Sequence, residues 1–326
     1  MSVSQKQIAD ALNLSTITVS RALRDYPHLA ADTRERVLQK ANELGYRKNR
    51  AQLSSPSEKV KRAGIIFFEA PDQAHMSFAS KLKTMTFYSL QQECKRMKVE
   101  TLIETVDLEE TPQIVQNRTI DAAFIFGRYS PHSLTSLAGI PSLAVSSYID
   151  GTGISRVIAD NQNGMKLATE HLIRLGHRKI AFLGYKESHT RLFVERSNGY
   201  LLAMHENGLT PESHFIPRGQ KDIRIPEGCT AIACSSDSMA YFVAHRLQAA
   251  GMSIPEDISI VGFDNLADEM ISHSQKISSY GPNWEQMGRS AARILLSDPE
   301  LCHQGEFTLT ISGKLYDHGS TASPKS

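Results

Sequence analysis

The sequence predicts an α/β protein with a small all-helical head and a larger body that holds parallel β-sheets. Three observations lead to this fold class. The chain has 326 residues, which suits two or three domains better than one. Residues 3–46 show only helical periodicity, whereas from residue 63 onward short apolar runs alternate with helical stretches. A hydrophobic content of 40% is sufficient for a large core.

The head is expected to form three short helices. Ser4 and Ser15 are placed to cap the first and second helices. Asn13 lies between them, where asparagine tolerates the left-handed conformation of a tight turn. Asp32 or Thr33 begins the third helix. Apolar side chains recur every three or four positions and define the predicted buried face: Ile8, Ala9, Leu12, Val19, Leu23, Val37, Ala41 and Leu44.

Charge is distributed unevenly along the chain, although its net value is only +1. Residues 1–62 hold 12 lysines and arginines against 6 aspartates and glutamates, and the remaining residues hold 24 against 29. A basic head on an acidic body is typical of a protein that binds a polyanion. Residues 47–62 (RKNRAQLSSPSEKVKR) are polar, basic and interrupted by Pro56, as expected for a linker.

The body is expected to alternate strands and helices. The predicted strands are 63–68, 99–103, 121–126, 142–146, 179–183, 230–234 and 258–262. The predicted helices are roughly 75–97, 111–118, 161–175, 190–207, 236–250 and 283–296. Such alternation favours parallel sheets joined by right-handed crossovers. Seven core strands in a body of this length fit two sheets better than one.

The composition argues against several other classes of protein. The four cysteines form no CxxC pair and no histidine cluster has metal-ligand spacing, so reduced core thiols are expected, without a metal or other cofactor. Neither a signal peptide nor a run of about 18 apolar residues is found, which predicts a cytoplasmic protein that does not bind membranes. No GxSxG elbow, phosphate-binding loop or GxGxxG after the first strand is present, so no catalytic residues are expected.

The segment IADALNLSTITVSRAL and the later TRERVLQKANELGY resemble the DNA-binding head of the lactose/galactose repressor (LacI/GalR) family. This resemblance implies a helix-turn-helix, which presents the N-terminal end of its second helix to base edges in the major groove. The residues expected to contact bases are Thr16, Ile17 and Arg21. Hydroxyl groups expected to hold phosphates are those of Ser15, Thr18, Ser20 and Thr33. By resemblance, further residues near DNA are Gln5, Lys6, Arg24 and His28.

In the same family, a hinge after the head folds on operator DNA and inserts a pair of leucines into the minor groove. Asn49 and Leu53 occupy this segment and are expected to contact DNA. Lys48 stands where the family usually has proline, and Pro56 biases Ser55 away from helical angles. We therefore expect a short or weak wedge, with basic residues of the hinge contributing more through phosphates.

The body resembles the effector-binding core of that family, which is similar to periplasmic sugar-binding proteins. Residues 160–184 and 251–265 carry the closer likeness, and residues 226–251 and 311–322 a looser one. The implied domains are a head at 1–47, a hinge at 48–62 and a two-lobed body at 63–322. The implied lobes are an N-terminal one of about 63–158 and 282–303, and a C-terminal one of about 159–280 and 304–320.

A two-lobed fold of this kind binds its ligand in the cleft, outside the carboxyl ends of the strands. By resemblance, Arg196 reaches the ligand and Asp264 supplies a carboxylate opposite it. Further candidate ligand-binding residues at strand ends or on the cleft wall are Phe68, Asp160, Arg191, Ser236, Asp237 and Phe263. Structural roles compete with these assignments, because Asp160 and Asp237 can each cap a helix and Arg196 can form an ion pair between the lobes.

These features predict a ligand-responsive, sequence-specific transcriptional regulator, a repressor that binds a near-palindromic operator as a homodimer. The helix at 75–97 and the strand at 99–103 are the expected dimer face. By resemblance to the family, the expected effector is a sugar or a sugar derivative, with a nucleobase as the alternative. Ser236 and residues 272–280 (SHSQKISSY) depart from the family pattern, so the identity of the ligand stays open. Two other function classes stay open: a binding or transport receptor, which the basic head disfavours, and an enzyme on a similar body.

Overall fold

The computed structural model describes residues 5–23, 31–44, 60–69, 81–127, 130–146, 153–186, 191–217, 225–266, 276–304 and 306–325. The chain divides into two compact units, Met1–Glu58 and Lys59–Ser326. Within the described ranges, no helix combines the length and apolar character needed to cross a membrane. Across the same residues, no group of three or more histidine, cysteine, aspartate or glutamate side chains is arranged to hold a metal ion.

The described residues of the first unit form the three predicted helices: α1 (Gln5–Leu12), α2 (Thr16–Leu23) and α3 (Ala31–Glu43). Its core consists of Ile8, Ala9, Val19, Ala22, Val37 and Ala41. Ser15 caps α2, because its Oγ accepts the backbone N–H of Thr18 at 3.0 Å. Asn13 adopts a φ of +52° in the turn before it. Leu44, expected inside, is 39% exposed because it lies beyond the last turn of α3; the proposed cap Ser4 lies outside the described residues.

The second unit has two lobes, each built on a six-stranded sheet. In the first lobe the strand order is β11-β5-β4-β3-β1-β2, and every neighbouring pair is parallel. These strands are β1 (Arg62–Glu69), β2 (Glu100–Asp107), β3 (Ala122–Gly127), β4 (Ser142–Val145), β5 (Ser155–Ala159) and β11 (Thr308–Ile311). The helices are α4 (Lys81–Arg96), α5 (Gln113–Gln116), α6 (Pro131–Ser136), α10 (Trp284–Ser297) and α11 (Leu301–Gln304).

The two faces of the first sheet are covered by different helices. Apolar residues of α4 and α10 pack on one face, and those of α5 and α6 pack on the other. Coverage on both faces explains why β3 and β5 are buried at almost every position. Burial raises the pKa of Cys94 to about 12 and that of Cys302 to about 11, so these unpaired thiols stay protonated.

In the second lobe the strand order is β12-β10-β9-β8-β6-β7, parallel except for the antiparallel pair β10–β12. These strands are β6 (Ile180–Tyr185), β7 (Glu212–Ile216), β8 (Ala231–Cys234), β9 (Ser259–Phe263), β10 (Ser278–Pro282) and β12 (Gly313–Tyr316). The helices are α7 (Asn161–Arg174), α8 (Arg191–Glu206) and α9 (Asp237–Ala249). Helices α7 and α8 pack on one face of the sheet and α9 packs on the other.

The chain crosses between the lobes three times: after β5, after β10, and between β11 and β12. Backbone hydrogen bonds tie the crossings together, since Asp160 N donates to Ile311 O at 3.1 Å and Asn283 N donates to Ser312 O at 3.2 Å. The third crossing corrects the predicted lobe boundaries. Residues 308–311 pair with β5 in the first sheet, so the assignment of all of 304–320 to the second lobe is wrong.

The seven predicted strands are present, with shifts of a few residues at their ends, but five further strands, β5, β7, β10, β11 and β12, were not predicted. β7, β11 and β12 are edge strands with mostly half-buried or exposed residues, which gives a weak apolar signal. β10 has the sequence SSYGP, which favours a turn, yet all five of its residues are buried. Its serines satisfy their hydroxyl groups through hydrogen bonds instead of exposure to water.

Candidate functional site

Arg196, on the second turn of α8, is only 4% exposed. Its guanidinium donates from Nε to Oδ1 of Asn161 at 3.0 Å and from Nη1 to the carbonyl oxygen of Ser235 at 2.7 Å. Nη2 donates to Oδ1 of Asp264 at 3.0 Å in a buried ion pair. The guanidinium carbon lies 3.7 Å from the ring centroid of Phe263, a cation–π contact.

The contacts of Arg196 correct one expectation about this residue. Its ion-pair partner Asp264 belongs to the same lobe, so the alternative of an ion pair between the lobes is wrong. The two side chains touch directly, and their expected placement on opposite sides of a ligand stays a prediction. The cluster is therefore organised by the protein's own hydrogen bonds, at the carboxyl ends of β8 and β9 where a ligand is expected.

The backbone turns sharply after β9. φ is +118° at Asp264 and +59° at Asn265, a region that favours glycine. Three hydrogen bonds hold this turn: Asp264 N donates to Tyr280 O at 2.8 Å, Asn265 N donates to Ser279 Oγ at 3.0 Å, and Trp284 Nε1 donates to Asp264 O at 3.2 Å. Burial raises the pKa of the Asp264 carboxyl, and the adjacent guanidinium opposes that shift.

Asp237 supports the same turn from the sheet side. It is 1% exposed, and its Oδ2 accepts the backbone N–H of Leu266 at 2.5 Å while Oδ1 accepts the hydroxyl of Ser279 at 2.6 Å. Burial and the negative charge of Asp264 raise the pKa of Asp237 to about 8. A Cβ at Gly262 would lie 2.1 Å from Oδ1 of Asp237, so the carboxyl occupies the space above this glycine.

The helix caps near the site are Ser236 and Asp160. At the start of α9, Oγ of Ser236 accepts a hydrogen bond from the backbone N–H of Met239 at 3.2 Å. The N-cap of this helix is therefore Ser236 and not Asp237. Asp160 Oδ1 accepts Asn163 N at 3.3 Å at the start of α7, as the structural alternative proposed. A ligand-binding role for either cap stays a prediction, as does that of Asp237.

Arg191 is connected to the cluster through two residues that the sequence did not single out. Its Nε donates to Oε1 of Glu195 at 2.7 Å, and Oε2 of Glu195 accepts Nδ2 of Asn161 at 3.2 Å. Asn161 in turn accepts from Arg196. Their positions in the sequence could have indicated both residues. Glu195 precedes Arg196 and lies four residues after Arg191, and Asn161 follows the candidate Asp160.

A cavity of about 600 Å³ lies beside α8 and the ends of β6 and β7, and its described lining does not include Arg196 or Asp264. Its described lining residues are Tyr185, Lys186, Phe193, Val194, Ser197, Asn198 and Phe215. Phe193 connects the two features, because its ring centroid lies 5.7 Å from the guanidinium carbon of Arg196. Phe68, by contrast, is wholly buried in the core of the first lobe and presents no exposed surface, which does not support its predicted place on the cleft wall.

The head places the start of α2 at Thr16, which is exposed together with Lys6 and Ser15. Thr18 is half-buried, and its hydroxyl lies 2.8 Å from that of Ser15. Thr33 is half-buried in the first turn of α3. The predicted contacts of the side chains of Gln5, Ile17, Ser20 and Arg21 lie outside the described parts of the structure, as do residues Arg24, His28, Asn49 and Leu53.

Comparison with known proteins finds two family models, one matching the head and one matching part of the body. Residues 5–49 match the family model "Bacterial regulatory proteins, lacI family", and residues 169–321 match "Periplasmic binding protein-like domain". The HTH-type transcriptional regulator RafR of Escherichia coli is 31% identical over 286 residues, covering 82% of this chain and 84% of RafR. The chain belongs to the LacI family of transcriptional regulators. It is therefore a ligand-responsive DNA-binding regulator, as the sequence predicted.

Solved structures of LacI-family members share the fold. The transcriptional regulator CelR in complex with cellobiose aligns with a TM-score of 0.64 at 21% identity, covering 98% of this chain and 99% of CelR. The lac repressor dimer bound to operator and the anti-inducer ONPF aligns with a TM-score of 0.61 at 20% identity, covering 99% and 100% of the two chains. These likenesses confirm the predicted combination of a helix-turn-helix head and a two-lobed α/β body.

Proposed function

We propose that this LacI-family regulator is a homodimeric cytoplasmic repressor whose operator affinity is set by a sugar or sugar derivative bound at the Arg196–Asp264 cluster. The observation that carries the proposal is the buried guanidinium of Arg196, which donates three hydrogen bonds at the carboxyl ends of two parallel strands, near a cavity of about 600 Å³. A site with few convergent polar groups and aromatic walls is typical of small-ligand pockets.

The chemistry of the cluster suits a hydroxyl-rich ligand. Arg196 uses three donors within the protein, and a guanidinium has five in all. Asp264 accepts with Oδ1 from Arg196, while a carboxylate has a second oxygen for a ligand hydroxyl. Phe193 and Tyr185 supply ring surfaces on the nearby cavity, against which the apolar face of a sugar ring can pack. Charge-assisted bonds to both groups give such a ligand orientation as well as affinity.

A homodimer is supported by apolar side chains on the predicted dimer face. Tyr88 of α4 is 60% exposed and Ile103 of β2 is 48% exposed. β2 is also an edge strand of its sheet, with backbone groups available on one side. Two heads in one dimer match the two halves of a near-palindromic operator, because one helix-turn-helix contacts only a half-site.

Operator selection from random DNA with the full chain tests the DNA-binding proposal. We expect a near-palindrome, and we expect Arg21→Ala to lose roughly 1–3 kcal/mol of specific binding per half-site, because arginine can bond a guanine edge in two places. Arg174→Ala, at the exposed end of α7 on the body, is the matched control and is expected to leave the selected sequence and affinity unchanged. An unchanged operator preference in Arg21→Ala rules out the assigned base contact.

A thermal-shift screen of neutral mono- and disaccharides, followed by operator titrations, tests the effector site. We expect Asp264→Ala to abolish the response to any sugar that alters operator affinity in the wild type, while operator binding without sugar persists. Asp264→Asn keeps the side-chain size and one acceptor and is expected to retain a weakened response. Calorimetry that finds wild-type sugar affinity in Asp264→Ala contradicts the site.

A further inference from the structure

One hydrogen bond of the effector-site turn comes from the opposite lobe. Trp284 donates from Nε1 to the carbonyl oxygen of Asp264 at 3.2 Å. Trp284 is the first residue of α10, is 6% exposed, and belongs to the core cluster of the first lobe. Asp264 directly follows β9 of the second lobe. The bond therefore joins a side chain anchored in one lobe to the backbone of the other.

The backbone at the receiving end is held in an unfavourable conformation. A φ of +118° at Asp264 persists only where surrounding contacts enforce it. Within the second lobe, the hydroxyl of Ser279 accepts a hydrogen bond from the backbone N–H of Asn265, and the carboxyl of Asp237 accepts one from that of Leu266. The indole N–H of Trp284 is the contact from the first lobe. A ligand that shifts the backbone of this turn when it binds the Asp264 carboxylate would also shift the carbonyl that accepts the Trp284 hydrogen bond.

The other end of Trp284 is connected to α4 through a close helix pair. A Cβ at Gly288 of α10 would lie 2.1 Å from the carbonyl oxygen of Thr86 and 2.2 Å from Oγ of Ser89. The two helices therefore touch backbone to backbone, with no space for independent sliding. Nε of Arg293 on α10 also donates to Oε1 of Glu93 on α4 at 2.7 Å. A displacement at the start of α10 is thus passed to α4, which carries the proposed dimer face.

We propose that Trp284 is a positioning residue that fixes the effector-facing turn from the first lobe and transmits changes in that turn through α10 to α4. The inference rests on the proposed function for the identity of the site and of the dimer face. The linkage itself is a property of the protein without ligand. It can be tested without knowing the effector or the operator.

The test perturbs the turn in one lobe and reads α4 in the other, by hydrogen–deuterium exchange of the full chain. Ser279→Ala removes the hydroxyl that holds Asn265 N and is the perturbation. Trp284→Phe keeps an aromatic ring but removes the indole N–H, and is used as the second background. Thr169→Ala removes another buried hydroxyl of the second lobe, one bonded to Met165 O within α7, and is the matched control.

We expect Ser279→Ala to speed exchange of the α4 amides about threefold when Trp284 is present, the size of effect that one lost hydrogen bond of a coupled unit produces. In the Trp284→Phe background, Ser279→Ala is expected to add no further change. Thr169→Ala is expected to leave α4 exchange unchanged in both backgrounds. This non-additivity distinguishes a transmitting bond from a general loss of stability.

Two results overturn the inference. One is an equal α4 response to Ser279→Ala with and without Trp284, and the other is no α4 response in either background. The proposed function fails separately, if no sugar of the screen changes operator binding by the wild type. The exchange experiment still decides the linkage in that case, because it uses neither a sugar nor DNA.

Discussion

Two buried carboxylates in different lobes are driven to opposite protonation states. Glu93, 4% exposed on α4, receives hydrogen bonds from Arg96 at 2.6 Å and Arg293 at 2.7 Å, and these arginines lower its pKa to about 2. Asp237, 1% exposed on α9, accepts only neutral donors, and burial together with the charge of Asp264 raises its pKa to about 8. Desolvation is thus the main influence at Asp237, and the two arginines are the main influence at Glu93.

The difference between the two clusters supports the proposed effector site at Asp264 and not at Glu93. Arg96 and Arg293 have half or more of their side chains in solvent, so the Glu93 cluster is an ion-pair network at the edge of the helix pair. The Asp237–Asp264 cluster contains two carboxyl groups and one buried guanidinium, and its charges are screened little by water. Strained, desolvated groups with displaced pKa values are characteristic of functional sites.

Removing the guanidinium of Arg196 is expected to have the largest effect. Arg196→Met leaves Asp264 buried without its partner, which costs about 3–5 kcal/mol in the free energy of unfolding and removes the effector response. Arg293→Met is the matched control in the other cluster, and because its pair with Glu93 is partly exposed the expected loss is about 1 kcal/mol or less. Denaturant unfolding at pH 7 measures both, and equal losses contradict the contrast drawn between the clusters.

Asp237→Asn is expected to change how stability depends on pH. With a folded-state pKa of about 8, the wild-type carboxyl binds its proton more tightly in the folded than in the unfolded chain. Its contribution to the stability of the wild type is therefore lost as pH rises from about 4 to about 8, with a slope of at most about 1.4 kcal/mol per pH unit. Asparagine mimics the protonated carboxyl, so the variant should gain stability relative to the wild type toward pH 8. A parallel pH profile for the two proteins refutes the raised pKa.

Glu93→Gln is expected to give the smallest effect, with the opposite sign. Because the pKa of Glu93 is lowered to about 2, its ion pairs contribute fully above the unfolded-state pKa and are lost as pH falls toward 2. The variant should be about 1 kcal/mol less stable at pH 7, since solvent screens the exposed arginines, and equal to the wild type near pH 2. Thermal unfolding across this range measures the difference. A difference that grows on acidification excludes an ionised Glu93.

The sequence predicted the parts of the fold whose residues carry a periodic apolar signal. Helix α7 was expected at 161–175 and is found at Asn161–Arg174, because its buried face recurs regularly from Met165 to Leu172. β10 escaped prediction because its buried serines depend on partners far away in sequence, such as Asp317. The pattern of apolar residues along the sequence contains no information about such distant partners. A buried strand made of polar residues therefore cannot be distinguished from a turn by its composition.

The candidate site was predictable to a similar extent. Resemblance to the family indicated Arg196 and Asp264, and the structure shows that they are paired. It did not indicate Asn161 or Trp284, which bond to these two residues from 35 and 20 positions away. Nor did it indicate the direct contact itself, since spacing along the chain gives no distance between side chains on α8 and at the end of β9.

The packing of Asp237 over Gly262 has a consequence for how this protein can evolve. An alanine methyl group at position 262 would overlap Oδ1 of Asp237, 2.1 Å from the ideal Cβ, so that change is obstructed while the aspartate is present. Replacement of Asp237 by a smaller residue creates room at position 262. A side chain at position 262 is therefore expected to be tolerated better after the aspartate is replaced than before.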